Sequence, residues 1–234
     1  TTLDLSAAAN QTIGSLAGLG GSVNLGSRTL TLAGLGDTSY SGTFAAGTGG
    51  LVKLGTGVQT LSGVNNLSGG VALNAGGLLL GNAAALGSGA LSVGGNVTLD
   101  GTTGPLALAN AVNLGSGASL NLLGGQALTF NGVIGGGGGL VKSGASSLTL
   151  NGANTFDGGV VFNAGSLVLG NGGALGTGAL NVGGAVSLDA SAGLTVGNGI
   201  TLGAGGSLTV LGSNALTLGG VIGGSGSLVK NGAS

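Results

Sequence analysis

The 234-residue chain contains no cysteine, histidine, methionine or tryptophan, and its aromatic content is four phenylalanines and one tyrosine. That inventory excludes disulfides, thiolate or imidazole metal sites, and nucleophilic or acid–base chemistry built on Cys or His. Charge is equally scarce: Arg28, Lys53, Lys142 and Lys230 stand against Asp4, Asp37, Asp100, Asp157 and Asp189, a formal net charge of −1. So weak a field draws neither nucleic acid nor an anionic surface, and neither is expected as a partner. Proline occurs once, at Pro105. Apolar runs are broken by glycine, serine or asparagine before they reach the length of a bilayer-spanning helix, so this segment is not expected to insert in a membrane. No charged-then-apolar leader opens the chain, and a signal for export, if there is one, is expected outside these residues.

What the chain has is glycine, 60 residues of it, beside 42 % hydrophobic residues and a mean hydropathy of +0.63. Disorder goes with low hydrophobicity, so these residues imply burial. Helix is disfavoured, because each glycine costs about 1 kcal/mol relative to alanine.

The strongest signal is internal repetition. Residues 49–100 match residues 138–189 at a constant offset of 89, with 32 of 52 positions identical. Gly49-Gly50-Leu51-Val52-Lys53 returns as Gly138-Gly139-Leu140-Val141-Lys142, and Gly226-Ser227-Leu228-Val229-Lys230 begins a third copy. Farther on the offset falls to 88, matching Gly132-Val133-Ile134 to Gly220-Val221-Ile222. The chain therefore divides into a partial repeat (1–48), two full repeats (49–137 and 138–225) and the start of another (226–234). It reads as one solenoid segment. Neither end shows a capping signal, and the segment is expected to belong to a longer protein.

Inside each repeat, apolar and polar residues alternate over three to five positions, as in Leu30-Thr31-Leu32, Leu128-Thr129-Phe130 and Leu148-Thr149-Leu150. Period two means strand. The runs end in glycine or in Asn-Gly, as at Asn131-Gly132, Asn151-Gly152 and Asn171-Gly172, where positive φ is expected. Sandwich, barrel and solenoid all use short strands, but only a solenoid returns equivalent residues to equivalent places by construction. A membrane barrel would also need aromatic girdles. The fold class expected is thus all-β: a parallel β-helix of about ten or eleven coils, each of roughly 20 to 24 residues, open at both ends. Its interior is expected to be a column of Leu, Val, Ile and Ala, in which Leu67 is replaced by Phe156, Leu73 by Phe162 and Leu79 by Val168.

The stretch Gly138-Gly139-Leu140-Val141-Lys142-Ser143-Gly144, with Leu148-Thr149-Leu150-Asn151-Gly152-Ala153-Asn154-Thr155-Phe156 and Asn163-Ala164-Gly165-Ser166-Leu167 after it, resembles the passenger-associated transport repeat of bacterial autotransporters. The resemblance covers residues 49–82 and 138–171. It implies a right-handed parallel β-helix stalk on the surface of a Gram-negative cell, exported through an outer-membrane barrel carried elsewhere in the parent chain. The first copy departs from the pattern at Gly57-Val58-Gln59-Thr60 and at Leu67-Ser68. Passengers of this kind include adhesins, self-associating proteins and enzymes, so the resemblance selects no activity.

Each candidate site has a plainer reading. At this glycine content GxGxxG matches arise by chance, and five aspartates are too few for a calcium-binding repeat. Asp100 and Asp189 are equivalent and are expected four coils apart, roughly 19 Å, whereas glycosidase carboxylates need about 5–9.5 Å. Asp157 is expected to reach neither. Lys53, Lys142 and Lys230 are expected as isolated solvated charges that end a strand and discourage sideways pairing. A threonine ladder would need Thr-X-Thr in every coil, and only Thr29-Leu30-Thr31 has it. Tyr40 and Phe44 are expected in the core. No catalytic, cofactor or metal residue is assigned, and no cofactor is expected. The sequence thus points to a structural or interaction segment of a secreted surface protein, a stalk of an adhesin, whose partners are copies of itself or cell-surface molecules. A self-assembling fibre and, behind it, a polysaccharide-acting enzyme are the alternatives.

Overall fold

A computed structural model describes residues 1–232. Residues 233 and 234 lie outside the described residues. Alternation over so few positions gives very short strands, 29 in all, and no helix among the described residues. The strands pair in parallel, each on one 19 to 23 residues away, as Val58 on Gly77 and Asn96 on Ser119 show. The result is a β-solenoid of about 11 coils, about 50 Å long at roughly 4.8 Å per coil.

Each coil has three faces. On the first face lie a three-stranded sheet (Thr2–Asp4, Ser22–Asn24, Thr43–Phe44) and a seven-stranded sheet running from Leu106–Leu108 to Ser227–Lys230. The second face carries seven strands, Gln11–Ile13 to Ile134–Gly136, and then two, Leu194–Val196 and Leu216–Leu218. On the third face ten strands run unbroken from Thr38–Tyr40 to Ile222–Gly224. Inward positions stack coil on coil: Leu30 pairs with Leu51, which pairs with Val71, which pairs with Leu91. Such side chains are almost wholly buried, each contributing about 1.5–3 kcal/mol. No coil could bury them alone.

The copies are not in phase with the coils. From Gly50–Lys53 to Gly139–Lys142 the chain passes thirteen strand positions, four coils and one face more. The same Gly-Leu-Val-Lys strand therefore lies on the second face in one copy and on the third in the next, and Ser227–Lys230 lies on the first. The expectation that equivalent residues recur on one face is thereby corrected: a solenoid needs only that each strand stack on a compatible one. Local alternation, not the repeat length, decides which residues point inward.

Two further expectations change. Leu67 and Phe156, like Leu73 and Phe162, are core residues, but Leu79 and Val168 are half-exposed on the outer side of their strands. Their neighbours Leu78 and Leu80 take the inward places. The glycines of Asn131-Gly132, Asn151-Gly152 and Asn171-Gly172 are absent from the positive-φ positions. At Gly132 the need is closeness, since a Cβ there would sit 2.2 Å from the Asn110 carbonyl oxygen of the coil beneath.

Candidate functional site

The lysines occupy an unexpected place. Period two puts Lys53 on the same side of its strand as Leu51, and the register inserts it between Leu32 and Leu73. Lys142 likewise lies between Leu122 and Phe162. They are 3 % and 1 % exposed, so the expected solvated charges are core residues. Only Lys230, on the last described coil, is exposed. A buried ammonium requires acceptors, and each finds one in the corner that follows: Lys53 Nζ donates to Gly55 O, and Lys142 Nζ to Gly144 O and, at 3.2 Å, to Ala164 O. Lys230 makes the same contact with Gly232 O. The corner must be glycine, because a Cβ on Gly144 would fall 1.6 Å from Leu123 O. Desolvation holds both Lys53 and Lys142 below the usual lysine range, opposed in part by Asp37 and Asp100 respectively.

Two of the aspartates weighed as catalytic residues, Asp100 and Asp189, bind backbone. Buried Asp100 accepts from the N–H of Gly101, and across to the next coil from Gly125 at 2.8 Å and Gln126 at 3.3 Å. Asp189 accepts from the N–H groups of Ala190 and Ser213 and from the Ser213 hydroxyl. Desolvation would raise its pKa, but these hydrogen bonds outweigh it and hold the carboxyl below the usual range. Asp100 pairs within the third face and Asp189 within the first, so the two do not share a surface. Asp157 is exposed. Among the described residues no three acidic groups come together to hold a metal ion. Tyr40 and Phe44 pack edge-on in the core, ring centres 5.7 Å apart.

The residues that sequence reasoning missed are asparagines. Between the sheets of the first face two coils carry no strand there, at residues 65–67 and 82–89, and between those of the second face the same holds at 154–156 and 171–178. These are the same parts of successive copies. Buried Asn65 accepts from the Phe44 N–H of the coil below and donates to Ala85 O of the coil above. Asn154 does the same with Ile134 N–H and Ala174 O. Asn110 then donates to Gly87 O and Gly89 O, and Asn198 to Gly176 O and Gly178 O. Side-chain amides thus add to the few backbone bonds between coils that remain where the ladder lapses, such as Thr155 N–H to Ile134 O and Thr177 N–H to Phe156 O. Their signal was identity between the copies at polar positions. Among the described residues Gln59 is the one such group without a counterpart: buried where the second copy has Leu148, it donates to Leu16 O, Thr38 O and Thr60 O.

Stacked parallel strands, lysine-filled corners and asparagine bridges define a repeat-built β-solenoid with no pocket of convergent charged groups among the described residues. Two segments of it, residues 51–80 and 140–169, match the family model of the passenger-associated-transport-repeat. The chain thus carries two such repeats on a β-solenoid, as in an autotransporter passenger β-helix. No curated protein and no solved structure matches the chain.

Proposed function

We propose that this solenoid is the stalk of an exported bacterial surface protein, an adhesin-like passenger that acts by reach and by lateral contact with copies of itself or with cell-surface molecules. One observation supports the reading above others: the polar side chains that could have formed a site are occupied in holding coil to coil. Lys142, Asp100, Asn154 and Asn198 each bind backbone of a neighbouring coil. The match to the passenger-associated-transport-repeat supports a location outside the cell. Stacking beyond the outer membrane would also prevent the emerging chain from sliding back.

The test is surface display of the full exported chain in a Gram-negative cell. Leu140→Asp with Leu167→Asp puts charge at two positions that are 1 % and 0 % exposed. The expected outcome is passenger held in the envelope. Display at the parent level, with the variant shown to be unfolded in that region by protease sensitivity, would overturn the link between stacking and export.

A further inference from the structure

The phase of the repeat carries an inference about the rod itself, and it stands whether or not the rod is a stalk. The Gly-Leu-Val-Lys strand has the same alternation of burial on the second face and on the third. Its lysine contacts the carbonyl two residues ahead on all three faces. Asn65 makes its two bridges on the first face, and Asn154 the same two on the second. Surface relief travels too: a shallow trough along Gly138, Gly139, Val141 and Gly158 recurs as one along Gly50, Val52 and Gly69, one face earlier. Local sequence thus produces one local structure regardless of the face it lands on.

We infer that the three faces are interchangeable, so that each added or lost repeat lengthens or shortens the rod by four and a third coils and turns everything beyond it by a third of a turn. The axial step is about 21 Å at roughly 4.8 Å per coil. Three repeats restore the starting face. Repeat number then sets two quantities together, how far a distal segment is held out and in which direction it points. Any partner that grips the repeats meets its contact on successive sides of the rod and not along one stripe. The unbroken third face follows as well. The strandless stretch has fallen on the first face in one copy and on the second in the next, so it is due on the third only in a further copy.

The experiment is a variant chain in which residues 138–225 occur twice in tandem. Because the chain has no cysteine, spin labels can be placed by Val52→Cys, Val141→Cys and the same change in the added copy, taken two at a time. Val52 and Val141 lie on the outer side of their strands. The expected result is a folded rod longer by about 21 Å, in which the distance between the two Val141 labels equals that between the Val52 and Val141 labels. A shorter distance, matching the axial step alone, would show that the new copy had re-registered onto the old face, and would overturn the inference. Failure of this variant to fold, together with failure of a tandem copy of residues 49–137, would also overturn it, since interchangeable faces require both to fold.

Discussion

The third face and the strandless stretches of the other two are made by the same repeat and held by different means. On the third face every coil from Thr38–Tyr40 to Ile222–Gly224 adds a strand, and its backbone N–H and C=O groups are consumed by the ladder. In the strandless stretches the backbone turns away, as at residues 82–87 and 171–176, single backbone bonds such as Asn66 N–H to Phe44 O and Thr155 N–H to Ile134 O remain, and a buried asparagine reaches both neighbours. The difference teaches that a glycine-rich coil does not need an intact ladder on every side. It needs its buried polar groups satisfied, and one amide can satisfy a donor below and an acceptor above.

The comparison breaks most visibly at Asn154. Asn154→Ala strands the Ile134 N–H and the Ala174 carbonyl, at a cost of about 2–5 kcal/mol. Exposed Asn181, on the ladder face, should lose no more than about 0.5 kcal/mol on the same change. Amide hydrogen exchange reads both as local opening; equal losses would mean that the bridges hold nothing the ladder does not.

Next in size is the lysine buried behind the ladder face. Lys142→Ala opens a cavity and leaves the Gly144 and Ala164 carbonyls without their donor, a loss of about 2–4 kcal/mol. Its pH dependence has a definite sign. Burial lowers the folded lysine below 10.5, so the unfolded chain holds the proton more tightly. Stability therefore rises with pH from the lowered value and levels off above 10.5. Tyr40, raised by burial, works the other way above its ordinary value of 10.0. Denaturation of the parent and of Lys142→Met across that window isolates the lysine as the difference between their slopes; identical slopes would contradict its placement. The smallest effect is Phe156→Leu, which makes the second copy resemble the first at Leu67. It should cost about 1 kcal/mol, because in this account the bridge, not the ring, sustains the stretch.

Much of this was legible in the residues. Alternation and the 89-residue offset identify the solenoid, and period two already sets Lys53 beside Leu51; charge, weighed as a reason for exposure, obscured it. The asparagines showed only as identities between copies, since nothing in Asn65 itself distinguishes a buried bridge from a turn. The phase was not legible. Coil length varies from 19 to 23 residues, and only the ladder register reveals that the offset of 89 covers four coils and a third.

That phase is the central claim, and distances between spin labels on outward positions test it most directly. Val58 and Val141 lie on one column of the third face, joined through Gly77, Thr98 and Asn121, so their backbones should be about 19 Å apart. Val52 and Val141 are counterparts in the two copies, nearly the same distance along the axis but on different faces, and should be clearly farther apart. Two equal distances near 19 Å would put the copies on a single face and contradict the account.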